Sequence, residues 1–166
     1  MSKTAHKSAS IEVNTGQFSD WPALLHLIQT SFKAMEGRIS PPSSMHKLTL
    51  ENLAQKAKDE TLLYAYDGKQ LIGCAFACDR GDCLYVGKVS VTPNRQGCGV
   101  GQALIEACKS LARQLGQPEI EVQTRVELTE NHRFFEKSGF YKTGEDAHEG
   151  FDRPTSITLR CKVKRP

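Results

Sequence analysis

The sequence predicts a mixed α/β protein, with a central, mostly antiparallel sheet and helices on both faces. Three observations carry that expectation. Between residues 61 and 92, three strand-like runs follow one another through the tight turns Asp67-Gly68 and Arg80-Gly81-Asp82, which makes an antiparallel meander. At 88–115 an apolar strand ends at Pro93, a glycine-dense turn follows, and an amphipathic helix begins inside that turn. Glu119 to Arg125 then reads as a strand after a helix, and such a crossover runs its two strands parallel.

In chain order, Ile11 to Thr15 is short and β-branched, a first strand. Ser19 and Asp20 offer caps to a helix with Trp21, Leu24, Leu25, Ile28, Phe32 and Met35 at helical spacing, and Pro22 fits its first turn. The segment from Glu36 to His46 contains Gly37, Pro41 and Pro42 and reads as irregular. Thr49 caps a second, more polar helix through Leu50, Leu53, Ala54 and Ala57. The strands 61–66, 70–78 and 83–92 follow. The helix after the glycine turn sets Val100, Ala103, Leu104, Ala107, Leu111 and Leu115 on one face, and Gly116 and Pro118 stop it. A last helix holds Phe134 and Phe135 and ends at Gly139; strands near 140–143 and 155–162 close the sheet. The order is β-α-α-β-β-β-α-β-α-β-β, with no internal repeat and no domain boundary.

Composition narrows the function classes. A net charge of +3 with dispersed basic residues gives no nucleic-acid footprint. Lys162, Lys164 and Arg165 form the only basic cluster, read as a solvated tail. No apolar stretch approaches the ~18 residues of a membrane span, and the polar start MSKTAHKSAS lacks the apolar segment of a signal peptide. Six cysteines without C-x-x-C spacing give no zinc pattern and are expected as reduced thiols in a cytoplasm.

The glycine turn carries the chemistry. Gly97, Gly99 and Gly101 alternate with Cys98 and Val100, so the backbone can approach a ligand closely. The helix it opens leaves its first N–H groups unpaired at the positive end of the macrodipole, a site for phosphate. The spacing fits neither the dinucleotide fingerprint G-x-G-x-x-G nor a Walker loop. Cys98 sits where a thiolate is favoured; the alternative is a small residue tolerated between glycines.

The run V-S-V-T-P-N-R-Q-G-C-G-V-G from Val89 to Gly101 resembles the cofactor-binding motif of the GNAT superfamily of acyl-CoA N-acetyltransferases. Asn131 followed by F-F-E-K-S-G-F resembles its second motif, and the element order is also that of the GNAT fold. The resemblance covers residues 10 to 162 as one N-acetyltransferase domain, with 1–9 a disordered tail and 163–166 a C-terminal tail. It implies acetyl-CoA as cosubstrate, no metal, and a splay between the two central parallel strands past Val91. Backbone groups of Val89 and Val91 would then bind the pantetheine arm. The N–H groups of Gln96, Gly97, Cys98, Gly99, Val100 and Gly101 would bind the pyrophosphate, and Asn131 would contact the cofactor from the other side. An amine of a small molecule or peptide would attack the thioester directly in a ternary complex, with a main-chain N–H near Val91 polarising the carbonyl. The family also makes a homodimer an open expectation.

One departure is chemical. Many family members carry a tyrosine at the position of Phe135, where it protonates the departing thiolate; phenylalanine has no proton to give. Tyr85, with the same strand parity as Val89 and Val91, is one substitute, and Tyr141 a weaker one; a core aromatic is the alternative for Tyr85. Glu121 and Glu127 are the carboxylates near the site that could act as base, with a solvated surface role as the alternative, and His132 is a further candidate. The acceptor pocket falls to loops 36–44 and 145–153, where Glu36, Arg38 and His148 are the substrate-binding candidates and Arg153 could also pair a carboxylate. Two other readings remain: a catalytically silent CoA-binding module or sensor, and a nucleotide-phosphate binder.

Overall fold

The computed structural model describes residues 11–164, so the expected tail 1–9 and Arg165 of the basic cluster lie outside the described residues. The first strand is short, β1 (Val13–Asn14), and leads to α1 (Trp21–Lys33). Asp20 caps α1 by accepting from the Ala23 N–H at 3.3 Å. A 3-10 turn at Ser44–Lys47 precedes α2 (Leu50–Asp59). Thr49 and Asn52 cap α2 reciprocally: Thr49 Oγ1 accepts from the Asn52 N–H at 3.1 Å, and Asn52 Oδ1 from the Thr49 N–H at 2.8 Å.

The meander is β2 (Thr61–Asp67), β3 (Gln70–Asp79) and β4 (Leu84–Val91). Then come α3 (Val100–Gln114), β5 (Glu119–Arg125), α4 (Thr129–Lys137), β6 (Tyr141–Asp146) and β7 (Ser156–Lys162). Among the described residues, seven strands run in the order β1-β2-β3-β4-β5-β7-β6, with β4–β5 the one parallel pair. One face packs α1 and α2 through Leu24, Leu27, Ile28 and Leu53 onto Leu62, Tyr64 and Phe76. The other packs α3 and α4 through Val100, Leu104, Ile105, Cys108 and Phe135 onto Leu63, Ala75, Val86, Ile120 and Val122.

The buried stripe of α3 is rotated from the expected one. Ile105, Cys108 and Ala112 are in the core, while Leu115, at the helix's C-terminal end, is 46% exposed. Gly73 of β3 is what lets α3 sit so low: a Cβ there would lie 2.6 Å from Val100 Cγ1.

Two corrections concern β4. The splay begins well before Val91: β4 and β5 pair at Leu84↔Ile120 and Tyr85↔Glu121 and nowhere beyond, while β5 continues against β7 as far as Arg125↔Ser156. In addition, Tyr85 does not share the face of Val89 and Val91. The β3–β4 register shifts between Cys74 and Phe76, setting Gly87 to Ser90 against a shorter span of β3, and Lys88 takes a left-handed φ of 51°. This bulge reverses the alternation. Leu84 and Val86 face the α3 side upstream of it, and Val89 and Val91 face that side downstream. Tyr85 faces the opposite side.

Candidate active site

The unpaired stretch between β4 and β5 opens a cleft of about 1050 Å³. It is lined from the glycine turn at one end to the α1–α2 loop and the β6–β7 loop at the other. Of the sequence-derived candidates, Tyr85, Val89, Val91, Gln96, Gly97, Gly99, Val100, Gly101, Asn131, Arg38 and His148 all line it. Cys98, Glu121 and Glu127 are not on that lining, and Glu36 borders a separate, smaller hollow with His26 and His46.

At the glycine end, the turn divides its own donors. The Gln96 N–H donates to the Pro93 carbonyl (3.4 Å) and the Cys98 N–H to that of Arg95 (3.2 Å). Those two amides are consumed in shaping the turn, which leaves Gly97, Gly99, Val100 and Gly101 without backbone partners there. Gly97 and Gly99 have φ of 80° and 87°, and a Cβ on either would meet nothing within 4 Å. Their lack of a side chain therefore serves the backbone conformation. Gly101 serves packing, since its Cβ would stand 3.2 Å from Phe134 Cζ, where α4 crosses the start of α3. Asn131 reaches the cleft from α4, with Nδ2 3.4 Å from Thr124 Oγ1. Free N–H groups at the start of a 15-residue helix fit a diphosphate.

In the middle, Phe135 is buried, edge-on to Phe134 and Phe140 at ring distances of 5.3 Å. Tyr85 stands on the other wall, its ring under the Arg80 guanidinium at 3.8 Å. Burial raises its phenol above the usual range; Arg80 opposes this, and Glu121 and Glu60 add to it. It therefore stays protonated well past neutrality. Tyr141 is remote: it is exposed on β6 and donates to Glu119 Oε1 at 3.0 Å.

The two carboxylates are engaged. Glu121 is buried and accepts from Arg160 Nε at 2.8 Å and Arg80 Nη1 at 3.5 Å. Arg160 also holds Glu119 and Asp82, at 3.0 and 3.1 Å. Glu127 Oε2 accepts from the Ser40 N–H at 3.0 Å, tying the α1–α2 loop to the turn between β5 and α4, and its Oε1 is buried without a partner. His132 is equally structural, with Nε2 2.9 Å from the Arg125 carbonyl.

At the end away from the glycine turn, Arg38 pairs with Glu130 at 2.6 Å across the mouth. The His148 main-chain N–H donates to Thr155 Oγ1 at 2.9 Å, and its ring also contacts that hydroxyl. Burial and the nearby Arg125 lower the pKa of His148, with Glu127 opposing. Lys88 and Arg125 also line this end, and sequence reasoning passed over both. The signal for Lys88 is the bulge, which depends on the register with β3; the signal for Arg125 is its position at the last paired residue of β5.

A parallel strand pair forced apart in front of a glycine-opened helix defines an acyl-CoA-binding α/β transferase. The Acetyltransferase (GNAT) family matches residues 21–140, and the chain belongs to it. No curated protein sequence matches. Among solved structures, the chain is similar to the PaiA N-acetyltransferase from Thermoplasma acidophilum in complex with coenzyme A, at 16% identity. That likeness covers 92% of this chain and 99% of that one, with a TM-score of 0.76. It is also similar to the ribosomal-protein-S18-alanine N-acetyltransferase from Escherichia coli, at 16% identity over 93% and 95% of the two chains, TM-score 0.71. For N-acetylglutamate synthase from Neisseria gonorrhoeae, complexed with coenzyme A and N-acetyl-glutamate, identity is 19% over 93% of this chain and 35% of that one, TM-score 0.70.

Proposed function

We propose that residues 10–162 form one acetyltransferase domain that moves the acetyl group of acetyl-CoA to a primary amine of a small molecule or peptide. The transfer is a direct attack in a ternary complex. The observation that carries this reading is the continuity of the cleft: free turn amides, the unpaired edge of β4 and the acceptor loops share one hollow. Two of the similar structures are a ribosomal-protein-S18-alanine N-acetyltransferase and an N-acetylglutamate synthase complexed with N-acetyl-glutamate, which supports keeping both peptide and small-molecule amines as acceptors.

In this reading the amides of Gly97, Gly99, Val100 and Gly101 take the pyrophosphate, and Asn131 steadies the cofactor from α4. The edge of β4 at Val89 and Val91 aligns the pantetheine arm. A main-chain N–H of that edge polarises the acetyl carbonyl as the amine attacks. Tyr85, a cleft phenol kept protonated by its surroundings, gives its proton to the departing thiolate. Glu121 and Glu127 are held by Arg160 and Ser40 off the lining, so the amine's proton leaves through water in the open cleft.

The experiment is an assay of CoA thiol release over a panel of amines, amino acids and peptides, beside calorimetry with CoA, dephospho-CoA and ATP. Release with at least one amine and a preference for CoA are expected; a preference for ATP would overturn the reading. A silent CoA-binding module is the second reading, favoured by Phe135 in the tyrosine position. Tight CoA binding without release across the whole panel would select it.

A further inference from the structure

Most cations on the cleft wall have a carboxylate partner. Arg38 pairs with Glu130, Lys56 with Glu60, and Arg95 with Asp67. Two do not. Lys88 leaves β4 at the bulge and its ammonium contacts the Met45 sulfur at 3.8 Å, a weak acceptor. Burial and the Lys56 charge depress its pKa, with Glu60 opposing. Across the gap on β5, Arg125 donates from Nη2 to the Pro42 carbonyl at 3.4 Å, while its Nη1 is buried with no partner. Burial likewise lowers the pKa of Arg125, and Glu127, turned to Ser40, compensates only in part. Asp146 also lines the cleft, and among the described residues it forms no ion pair with either cation.

A partly buried cation whose charge is only partly offset is unfavourable in a finished structure. Here two of them border one ligand-sized hollow, on the two strands that part to form it. The glycine end already accommodates the phosphates of the cosubstrate, so the missing negative charge belongs to the other reactant.

We infer that the acceptor carries a carboxylate beside its amine, held by Arg125 and Lys88 while the amine faces the thioester. This rests on the transferase reading of the same cleft. The carboxylate has two sources, the α-carboxylate of a free amino acid or an acidic side chain near a peptide's N-terminus.

Thiol release by the full chain is measured with L-amino acids beside their carboxamides. It is also measured with C-terminally amidated peptides beginning Ala-Asp or Ala-Glu beside Ala-Asn or Ala-Gln. The acid member of a pair is expected to be favoured about tenfold to a hundredfold in kcat/KM, mainly through KM, the scale of a charge-assisted hydrogen bond. The pair that responds identifies the source. Arg125→Gln and Lys88→Met should erase that preference while leaving the amide member and CoA affinity in place, and Arg125→Lys should restore part of it. Equal or better use of the amides by the wild-type protein overturns the inference, whatever the variants do. Variants that weaken CoA instead of the acid also overturn it.

Binding of N-acetyl-L-alanine, N-acetyl-L-alaninamide and the N-acetylated, C-terminally amidated Ala-Glu and Ala-Gln pair to the CoA-loaded protein separates the two layers of argument. If no amine is turned over, the transferase reading fails; tighter binding of the acid in either pair still upholds the carboxylate site, and equal binding in both removes it.

Discussion

The two ends of the cleft are built by different means. At the glycine end main chain faces the hollow: Gly97, Gly99, Val100 and Gly101 keep their amides free of backbone partners where the turn opens a helix. At the other end the lining is of side chains drawn from β4, β5, the α1–α2 loop and the β6–β7 loop. A main-chain site is specified within a few consecutive residues and tolerates little change in them. A side-chain site is assembled across the sheet, so single exchanges retune it. On the proposed function, the end assigned to the common cosubstrate is thus built rigidly, and the end assigned to the particular acceptor is built from exchangeable parts.

Mutations test that contrast. The largest effect is expected from Gly99→Glu. It places a carboxylate before the α3 amides and forces a side chain into φ of 87°. Loss of two charge-assisted hydrogen bonds would lower CoA affinity by about a hundredfold or more. Calorimetry reads this directly, with circular dichroism to check the fold; unchanged affinity would move the diphosphate elsewhere. Tyr85→Phe should leave CoA affinity intact and reduce kcat by about 10²-fold, the lower range for a positioned acid. An alkaline pH profile gives the sign. Burial raises the phenol's pKa, so wild-type activity is retained as pH rises and falls only above the ordinary tyrosine range, and the variant lacks that limb. An unaltered kcat would return Tyr85 to a packing role. The smallest effect is expected from Arg38→Ala. Its pair with Glu130 is about half exposed on both sides, so stability should change by no more than ~1 kcal/mol. Thermal melts check that, while a shift in KM for the acceptor would report the mouth it spans.

Legibility in the sequence followed the same division. The meander, the glycine turn, the Thr49 cap and the helix that the turn opens are set by neighbours a few residues apart, and each is readable. Residues whose environment is made by distant chain were not. Glu121 looks free until Arg160, 39 residues on in the chain, folds back across it from β7. Arg125 looks like any strand-end arginine until Pro42, 83 residues earlier, receives its Nη2. Tyr85 was assigned to the wrong side because counting in twos assumes a regular strand. The left-handed residue three positions later breaks the count, and nothing local to a lysine announces it.

The extra residue at Lys88 also decides which layer the end of β4 serves. With an even pleat, Val89 and Val91 would point away from α3, into the layer of α1 and α2, where Cys74 and Phe76 already lie. One inserted position thus hands the last two valines of the strand to the helix that the glycine turn opens.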